Sequence, residues 1–269
     1  MHSKSLNIMK NVILASVLEP IPLKDGCTTR LKDYKDKSKL EYFLIAGVNI
    51  GKVFYELAER IESNDLKQPS LLYDLAYKAQ LEGHKNRDGG NINFGIIELL
   101  IPIVATQIIY DRYDISVLDK VEVILKNTTI DDVKYYYKFR NLAKKMSNKP
   151  EDKIFYDVNN LYDYYKIKKT DIENNIHSEY LNYFSRIKEI YEFLDDNYKA
   201  GNILSNTVDA YNKILCACNN YYGLAADYVC ISIYLFLSKY PDAILIWNYR
   251  TCNDLGYLLL MWLKKFKII

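Results

Sequence analysis

The chain of 269 residues has little glycine and little proline, ten and six residues respectively. Both residues mark tight turns, and both fall well below their average usage in globular proteins. A β-sandwich or β-barrel needs a turn after every short strand, so this scarcity argues against an all-β fold. No segment alternates apolar and polar residues for long enough to predict a sheet. We therefore expect an all-α protein of about nine to eleven helices, in a single domain over residues 1–269.

Histidine is also scarce, and cysteine shows no metal-binding pattern. The three histidines are His2, His84 and His177, too few for a histidine-rich metal site. The five cysteines are odd in number, contain no C-x-x-C motif and follow no zinc or iron–sulfur spacing. We interpret them as small buried residues of a protein in a reducing, cytoplasmic environment.

An excess of one charge and long apolar runs are both missing. The 36 basic and 34 acidic residues leave a net charge of +2, and the basic residues are spread along the chain. No apolar run reaches the length of about 18 residues that a membrane span needs. Residues 1–18 lack the pattern of a secretory signal. We expect no nucleic-acid partner and no membrane partner, while the oligomeric state is undetermined at this level.

Apolar residues recur at helical spacing through most of the chain. The clearest stretch is 40–61, where Gly47 and Gly51 lie one turn apart and favour close packing against another helix. Thr129 precedes Asp132 by three residues, the spacing of a capping box at a helix start. One further helix is predicted to begin near residue 70 and another at residue 161. Helices are also predicted over 115–127, 178–195, 205–218, 223–239 and 254–266.

The first stretch that could carry chemistry is LKDGCTTRLKDYKDKSKLEYFL, residues 23–44. It places glycine and cations before a helix start, where free backbone N–H groups and the helix dipole favour a phosphate. Its acids, Asp33 and Asp36, could hold a metal ion or accept a proton. The alternative is a solvated charged loop in which Asp36 or Ser38 caps the helix.

The second stretch, GGNINFGIIELLIPIVA, covers residues 89–105. Gly90 allows close backbone approach to a ligand, and Asn91 and Asn93 offer amide donors and acceptors on a tight turn. Gly95 leaves room beside the helix that follows. Glu98 lies on the helix face below the turn and could line a pocket. The alternative is an ordinary loop before a core helix.

Three single residues add to this picture. Pro102 is expected to bend or locally break the helix in which it lies. Asp242 is the lone acid before the apolar run of YPDAILIW, and it either faces a pocket or caps a helix. His84, in a polar loop, could serve as an acid–base group or could simply be exposed.

In this order and at these distances the stretches resemble the triphosphoribosyl-dephospho-CoA synthase family, in particular its archaeal-type branch. KDGCTTRLKDYKD stands where the family shows K-P-G-N-V and then R-x-R-D-F-x-D. GGNINFGIIELLIPIVA is similar to G-G-N-T-N-x-G-x-x-L-L-L-x-P-L, the most specific match, and YPDAILIW is similar to P-D-T-L-I-x-R-K. The resemblance covers nearly the whole chain.

The resemblance implies an all-α transferase that joins ATP to 3′-dephospho-CoA, releases adenine and uses Mg²⁺. Such a reaction needs a carboxylate near the ribose, a base for the acceptor hydroxyl, and cations for the triphosphate. The implied roles are phosphate contacts for Lys24, Gly26 and Arg30, metal binding or base catalysis for Asp33 and Asp36, a nucleotide turn of Gly90, Asn91, Asn93 and Gly95, and a further pocket acid in Asp242.

The chain has K-D-G-C-T where the family shows K-P-G-N-V, and it departs from the family pattern at four further positions. Ile92 and Ala243 each stand where the family has a threonine, and Trp247 and Asn248 replace a basic pair. These changes keep two alternatives open. The first is a catalytically degenerate nucleotide-binding protein of the same fold. The second is an enzyme of that fold that acts on another nucleotide or coenzyme precursor.

Overall fold

The structure is a computed structural model that describes residues 4–34, 38–152, 157–169, 176–197, 203–218 and 221–241. These residues form eleven α-helices and one 3-10 helix and contain no β-strand, which confirms the expected all-α fold. That residues 1–269 form one domain stays a prediction. The helices are α1 (Lys4–Leu18), α2 (Leu40–Ser63), α3 (Tyr73–His84), α4 (Phe94–Tyr110), α5 (Val121–Lys126), α6 (Ile130–Met146), α7 (Leu161–Lys169), α8 (Ile176–Leu181), α9 (Ser185–Asn197), α10 (Ile203–Ala217) and α11 (Tyr222–Lys239), with the 3-10 helix Ile115–Lys120 just before α5.

Two apolar helices, α4 and α11, form the centre of the described structure. Every residue of α4 from Gly95 to Ile108 is buried, and α11 is buried without interruption from Tyr228 to Leu237. Helices that are apolar on all sides must be surrounded by others. Accordingly α4 packs against α2, α3, α5 and α11, while α11 packs against α1, α9 and α10.

Pro102 lies inside α4, and the helix continues through it to Tyr110. Of the two expected alternatives, the local break at this proline is therefore wrong, and the bend stays a prediction. Proline has no N–H to donate to the carbonyl four residues earlier, which belongs to Glu98. The hydroxyl of Tyr180, from α8, donates to that carbonyl at 2.7 Å. The proline thus creates a free acceptor inside the core, and a side chain from another helix satisfies it.

The two glycines of α2 permit close packing, as the sequence indicated. A Cβ at Gly51 would lie 2.5 Å from Ile13 of α1, and one at Gly47 would lie 3.0 Å from the Cβ of Ser16. Real Cβ atoms do not approach side chains this closely in a packed core. The helix α1 itself was not predicted, because its N-terminal half mixes lysine and asparagine with apolar residues.

The predicted capping box at Thr129 is confirmed and extends to a second helix. Asp132 Oδ2 accepts a hydrogen bond from the Thr129 N–H at 3.0 Å, while its Oδ1 accepts from the N–H groups of Leu72 and Tyr73 at 2.7 and 2.9 Å. One buried carboxylate therefore caps the starts of both α6 and α3.

Other boundaries differ in detail from the prediction. The predicted helix 178–195 is two helices, α8 and α9, separated at a turn where Tyr183 and Phe184 have positive φ. The predicted helix 254–266 lies outside the described residues. Within the described part of the chain no single helix is long and apolar enough to cross a membrane, although α4 and the segment Ile115–Lys126 pass that test together as a pair bent by 98°.

Candidate active site

The turn between α3 and α4 is held in place by hydrogen bonds. The Gln80 amide donates to Asn91 Oδ1 at 2.8 Å. The Arg87 guanidinium donates to the carbonyls of Gly83 and Gly90, at 2.6 and 3.1 Å. These bonds fix the backbone that carries Asn91 and Asn93 directly before the first turn of α4.

Asn93 precedes α4 with a left-handed backbone, at a φ of 62°. Its side chain is 6% exposed and lines a cavity. Within the described part of the chain neither its amide nitrogen nor its amide oxygen has a hydrogen-bond partner, and it does not cap the helix. Buried amides are nearly always satisfied in folded proteins, so Asn93 has hydrogen-bonding capacity available for a ligand.

The cavity next to Asn93 has a volume of about 490 Å³. We call it the aromatic cavity, because its walls include Tyr34, Phe43, Phe94, Tyr221 and Tyr222. The first turns of α4 and α11 also line it, and neither helix has a side-chain cap. Free N–H groups of two helix N-termini therefore border one cavity, where they favour negative charge.

A second cavity, of about 540 Å³, is lined by three basic side chains: Arg140, Lys144 and Lys149. We call it the cationic cavity. Arg140 and Lys144 both contact Asp152, at 3.4 and 2.5 Å. Lys149 is exposed and, among the residues the structure describes, its ammonium group has no ion pair. Asp152 pairs with two of these cations, so the ammonium group of Lys149 is the one that stays available for an anionic ligand among the described residues.

The two cavities share a wall formed by Asn91, Phe94, Gly95, Tyr221, Leu224 and Asp227. A Cβ at Gly95 would overlap the carboxylate of Asp227. Glycine at this position therefore lets α11 bring its acid against the first turn of α4. As a result Asp227 stands where the cavities meet.

Asp227 has an unusual environment for a carboxylate. Desolvation, reinforced by the nearby carboxylates of Glu19 and Glu98, raises the pKa of Asp227 well above its usual value. A raised pKa favours the protonated form of the acid, and that form can donate a proton to a leaving group. Once ionised, the same group can stabilise positive charge on a reacting atom.

Glu98 and His177 line the cationic cavity from α4 and α8. Both contact the hydroxyl of Tyr136, which comes from α6. The Tyr136 hydroxyl donates to Glu98 Oε1 at 2.6 Å and lies 2.8 Å from His177 Nε2. Glu98 is fully buried and His177 is 5% exposed. Neither Glu98 Oε2 nor His177 Nδ1 has a hydrogen-bond partner in the described ranges. An acid, a phenol and an imidazole in contact are suited to moving a proton.

Four of the residues predicted for the site line the aromatic cavity: Gly26, Asn91, Asn93 and Gly95. Gly90 lies in the same turn, with its carbonyl bonded to Arg87. Ile92, which stands where the family has a threonine, lines that cavity too. Several predicted positions lie outside the described residues: Asp36, Asp242, Ala243, Trp247 and Asn248.

Three predicted residues line neither cavity: Lys24, Arg30 and Asp33. The buried ammonium group of Lys24 pairs with the carboxylate of Glu19. Asp33 is exposed and accepts a hydrogen bond from the N–H of Leu40, the first residue of α2, at 2.9 Å. The alternative interpretation named Asp36 or Ser38 as the cap of this helix. The N-cap residue is instead Lys39, whose side chain makes no capping bond. Arg30 is exposed.

The described residues do not form an obvious metal centre. They contain no group of three or more histidine, cysteine, aspartate or glutamate side chains placed to hold a metal ion. The carboxylate of Asp33 is already bonded at the start of α2. Metal binding by Asp33 and Asp36 stays a prediction, since Asp36 lies outside the described residues.

Sequence reasoning missed several residues of the cavities: Arg140, Lys144, Lys149, His177 and Asp227. Asp227 did carry a signal, because it is the one acid in the otherwise apolar helix α11. The cations carried none, since lysine and arginine are common at the ends of helices. His84, the histidine proposed from sequence, is the last residue of α3 and lines neither cavity.

The comparisons with known proteins agree with the resemblance seen in the sequence. A family model described as ATP:dephospho-CoA triphosphoribosyl transferase (CitG) matches residues 6–219. No curated protein matches the chain, and no solved structure does.

The contact between Gly95 and Asp227 predicts a strong energetic coupling. Gly95→Ala alone should lower the free energy of unfolding, because the new methyl group overlaps the carboxylate. Asp227→Ala removes that carboxylate, so the double variant should lose less stability than the two single losses combined. We expect a coupling energy of about 1–3 kcal/mol from denaturant titrations of all four proteins. Additive losses would contradict this packing of α4 against α11.

Asp227→Asn should remove a pH dependence of stability. The folded state raises the pKa of Asp227 above its unfolded value, so the protonated acid favours the fold. That contribution is lost as the pH rises through the folded-state pKa, whereas the neutral amide is unaffected. Relative to wild type, the variant should gain free energy of unfolding as the pH rises from about 4, the ordinary pKa of aspartate, through the raised folded-state pKa. Urea titrations of both proteins at several pH values measure this gain. A difference in the free energy of unfolding that stays constant with pH would argue against the raised pKa of Asp227.

Proposed function

The chain belongs to the ATP:dephospho-CoA triphosphoribosyl transferase family, and we propose that it transfers the 5-triphosphoribosyl group of ATP to 3′-dephospho-CoA and releases adenine. The observation that carries this proposal is the pairing of two cavities across one wall that holds Asp227. The aromatic cavity suits a nucleobase, and the cationic cavity suits phosphates. ATP carries both groups, joined by a ribose.

We place the adenine in the aromatic cavity. Aromatic side chains such as Tyr34, Phe43 and Tyr222 offer stacking surfaces for a base. The unpartnered amide of Asn93 has both a donor and an acceptor for the edge of the base. Departure of adenine places negative charge on the base, and the bordering helix N-termini stabilise such charge.

The triphosphate then lies in the cationic cavity, near Arg140, Lys144 and Lys149. These cations take the role that the family resemblance gave to Lys24 and Arg30. The ribose spans the shared wall beside Gly95, where the missing side chain leaves space. Breaking the bond to adenine builds positive charge on the ribose, and Asp227 is the nearest acid on that wall to stabilise it.

Magnesium enters this proposal as the counter-ion that accompanies ATP. Mg²⁺ commonly keeps several waters and takes most of its other ligands from substrate phosphates. This role needs no cage of protein carboxylates, which accords with the lack of such a group among the described residues.

A degenerate nucleotide-binding protein of the same fold is the second candidate. The observation in its favour is that Lys24 and Asp33, expected to face phosphate and metal, have partners within the protein. An acidic partner for Lys24 neutralises a cation that the family resemblance places at the phosphate. This candidate binds ATP in the same two cavities and carries out no transfer.

The proposal is tested by incubating the purified full-length protein with ATP, Mg²⁺ and 3′-dephospho-CoA. We expect release of free adenine, detected by chromatography, together with a product whose mass equals the acceptor plus the triphosphoribosyl group. ATP binding by calorimetry without adenine release would favour the degenerate candidate instead. Adenine release only with another acceptor would favour an enzyme that acts on a different coenzyme precursor.

Lys149→Ala should weaken ATP binding while leaving the fold intact. Its ammonium group has no structural partner among the described residues, so its loss removes only a contact to phosphate. Hydrogen bonds to charged groups contribute about 1.5–3 kcal/mol, so the dissociation constant should rise about tenfold or more. Lys145→Ala is the matched control, because Lys145 is exposed near the end of α6 and lines neither cavity. If the two variants bound ATP with equal affinity in calorimetry, the placement of the phosphates in the cationic cavity would be contradicted.

A further inference from the structure

The contacts around Tyr136 determine which nitrogen of His177 carries a proton. The Tyr136 hydroxyl has one hydrogen, and it is donated to Glu98 Oε1 at 2.6 Å. His177 Nε2 lies 2.8 Å from the same hydroxyl oxygen, so Nε2 must be the donor in that second bond. The neutral ring therefore carries its proton on Nε2. Its other nitrogen, Nδ1, is left with a lone pair.

The lone pair on Nδ1 has no use within the described protein. His177 is 5% exposed, its Nδ1 is buried, and no hydrogen-bond partner for this atom lies among the described residues. The side chain lines the cationic cavity together with Glu98 and Asp227. A buried unpartnered acceptor beside a cavity indicates a ligand that donates a hydrogen bond.

The ring of His177 is also held in position. It stacks on Tyr165 with the ring centroids 4.9 Å apart and the planes inclined by 23°. Tyr165 stacks in turn on Tyr180, whose hydroxyl is bonded to the carbonyl of Glu98. Glu98 Oε1 lies 3.4 Å from His177 Nε2, close enough to stabilise a positive charge on the ring.

We propose that His177 is the general base of the transfer, and that Glu98 and Tyr136 act as positioning residues that fix its tautomer. This inference rests on the proposed function and adds a residue to it. The substrate that faces His177 is the ribose hydroxyl of the acceptor. In this arrangement Tyr136 orients the base, and the carboxylate of Glu98 stabilises the positive charge that the base acquires.

The transfer exchanges one bond to the anomeric carbon for another. The acceptor oxygen forms a bond to the anomeric carbon of the ATP ribose, and the bond from that carbon to adenine breaks with its electron pair going to adenine. The hydroxyl proton passes to His177 Nδ1. Asp227, on the shared wall of the cavities, donates the proton that adenine takes as it leaves. His177 then releases its proton to solvent, and Asp227 recovers one.

Charged and aromatic side chains from α4, α6 and α7 surround His177. Two carry charge, Glu98 from α4 and Arg140 from α6, and Arg140 lies over the ring of Tyr136. The other titratable neighbours are Tyr136, Tyr164 and Tyr165, each in ring contact with His177. These neighbours hold the imidazole in place beside the cavity that it lines.

The first experiment compares the full-length wild type with His177→Gln in the adenine-release assay. We expect kcat to fall about 10²- to 10⁴-fold, the usual contribution of a general base, with an unchanged dissociation constant for ATP. A folded variant that binds ATP and keeps the kcat of wild type would overturn the proposal.

A pair of hydroxyl deletions separates chemistry from packing. Tyr136→Phe removes the hydroxyl that fixes the tautomer and should lower kcat about tenfold. Tyr73→Phe is the matched control, because Tyr73 is equally buried in the same aromatic cluster and its hydroxyl contacts Tyr165, not His177 or Glu98. Equal kcat values for these two variants would assign Tyr136 a packing role and overturn the positioning claim.

A readout independent of activity is the tautomer itself. The protein has three histidines, so nitrogen–proton NMR correlation of ¹⁵N-histidine-labelled protein is readily assigned with the His177→Gln spectrum. We expect the neutral Nε2–H form at His177 in wild type and its loss in Tyr136→Phe. A proton on Nδ1 would overturn the inference even if the enzyme is active. If wild-type protein shows the expected tautomer but releases no adenine, the proposed function is rejected. The role of His177 as the base of that reaction is then rejected too.

Discussion

The missing N–H of Pro102 is the constraint on which the geometry of the candidate site depends. It leaves the carbonyl of Glu98 without its helical partner in the most buried helix of the structure. An unsatisfied carbonyl in such a place costs about 1–3 kcal/mol, so another element must supply a donor. The hydroxyl of Tyr180 does so and ties α8 to α4 at that point. Since His177 lies one turn earlier on α8, the same bond brings the imidazole beside the side chain of Glu98.

A second constraint joins the two cavities. Gly95 presents no side chain, and the carboxylate of Asp227 occupies the space where a Cβ would be. This contact brings the N-termini of α4 and α11 together, and both helices enter the core from there. The polar groups of the site thus gather at the ends of the two most apolar helices. Desolvation by that core raises the pKa of Asp227 and makes it a candidate proton donor.

The sequence predicted the turn at the site better than the charges around it. Asn91, Asn93 and Gly95 line a cavity, since a loop that leads directly into a helix keeps its residues together in space. The cations Lys24 and Arg30 were inferred from a stretch rich in charge, and the structure pairs one with Glu19 and leaves the other exposed. Glycine and lysine before a helix are typical of a charged capping loop as well as of a phosphate site, and composition cannot distinguish the two.

Sequence alone determined the helical class, because scarce turn residues and a periodicity of 3.6 residues are local properties. It also determined the capping box of Thr129 and the close packing at Gly47 and Gly51. Only the tertiary structure decided which side chains meet. Asp227 lies 132 residues from Gly95 in the chain, and His177 lies 41 from Tyr136. Contacts at such separations follow from how helices pack, and hydrophobic packing accepts many arrangements until buried hydrogen bonds select one.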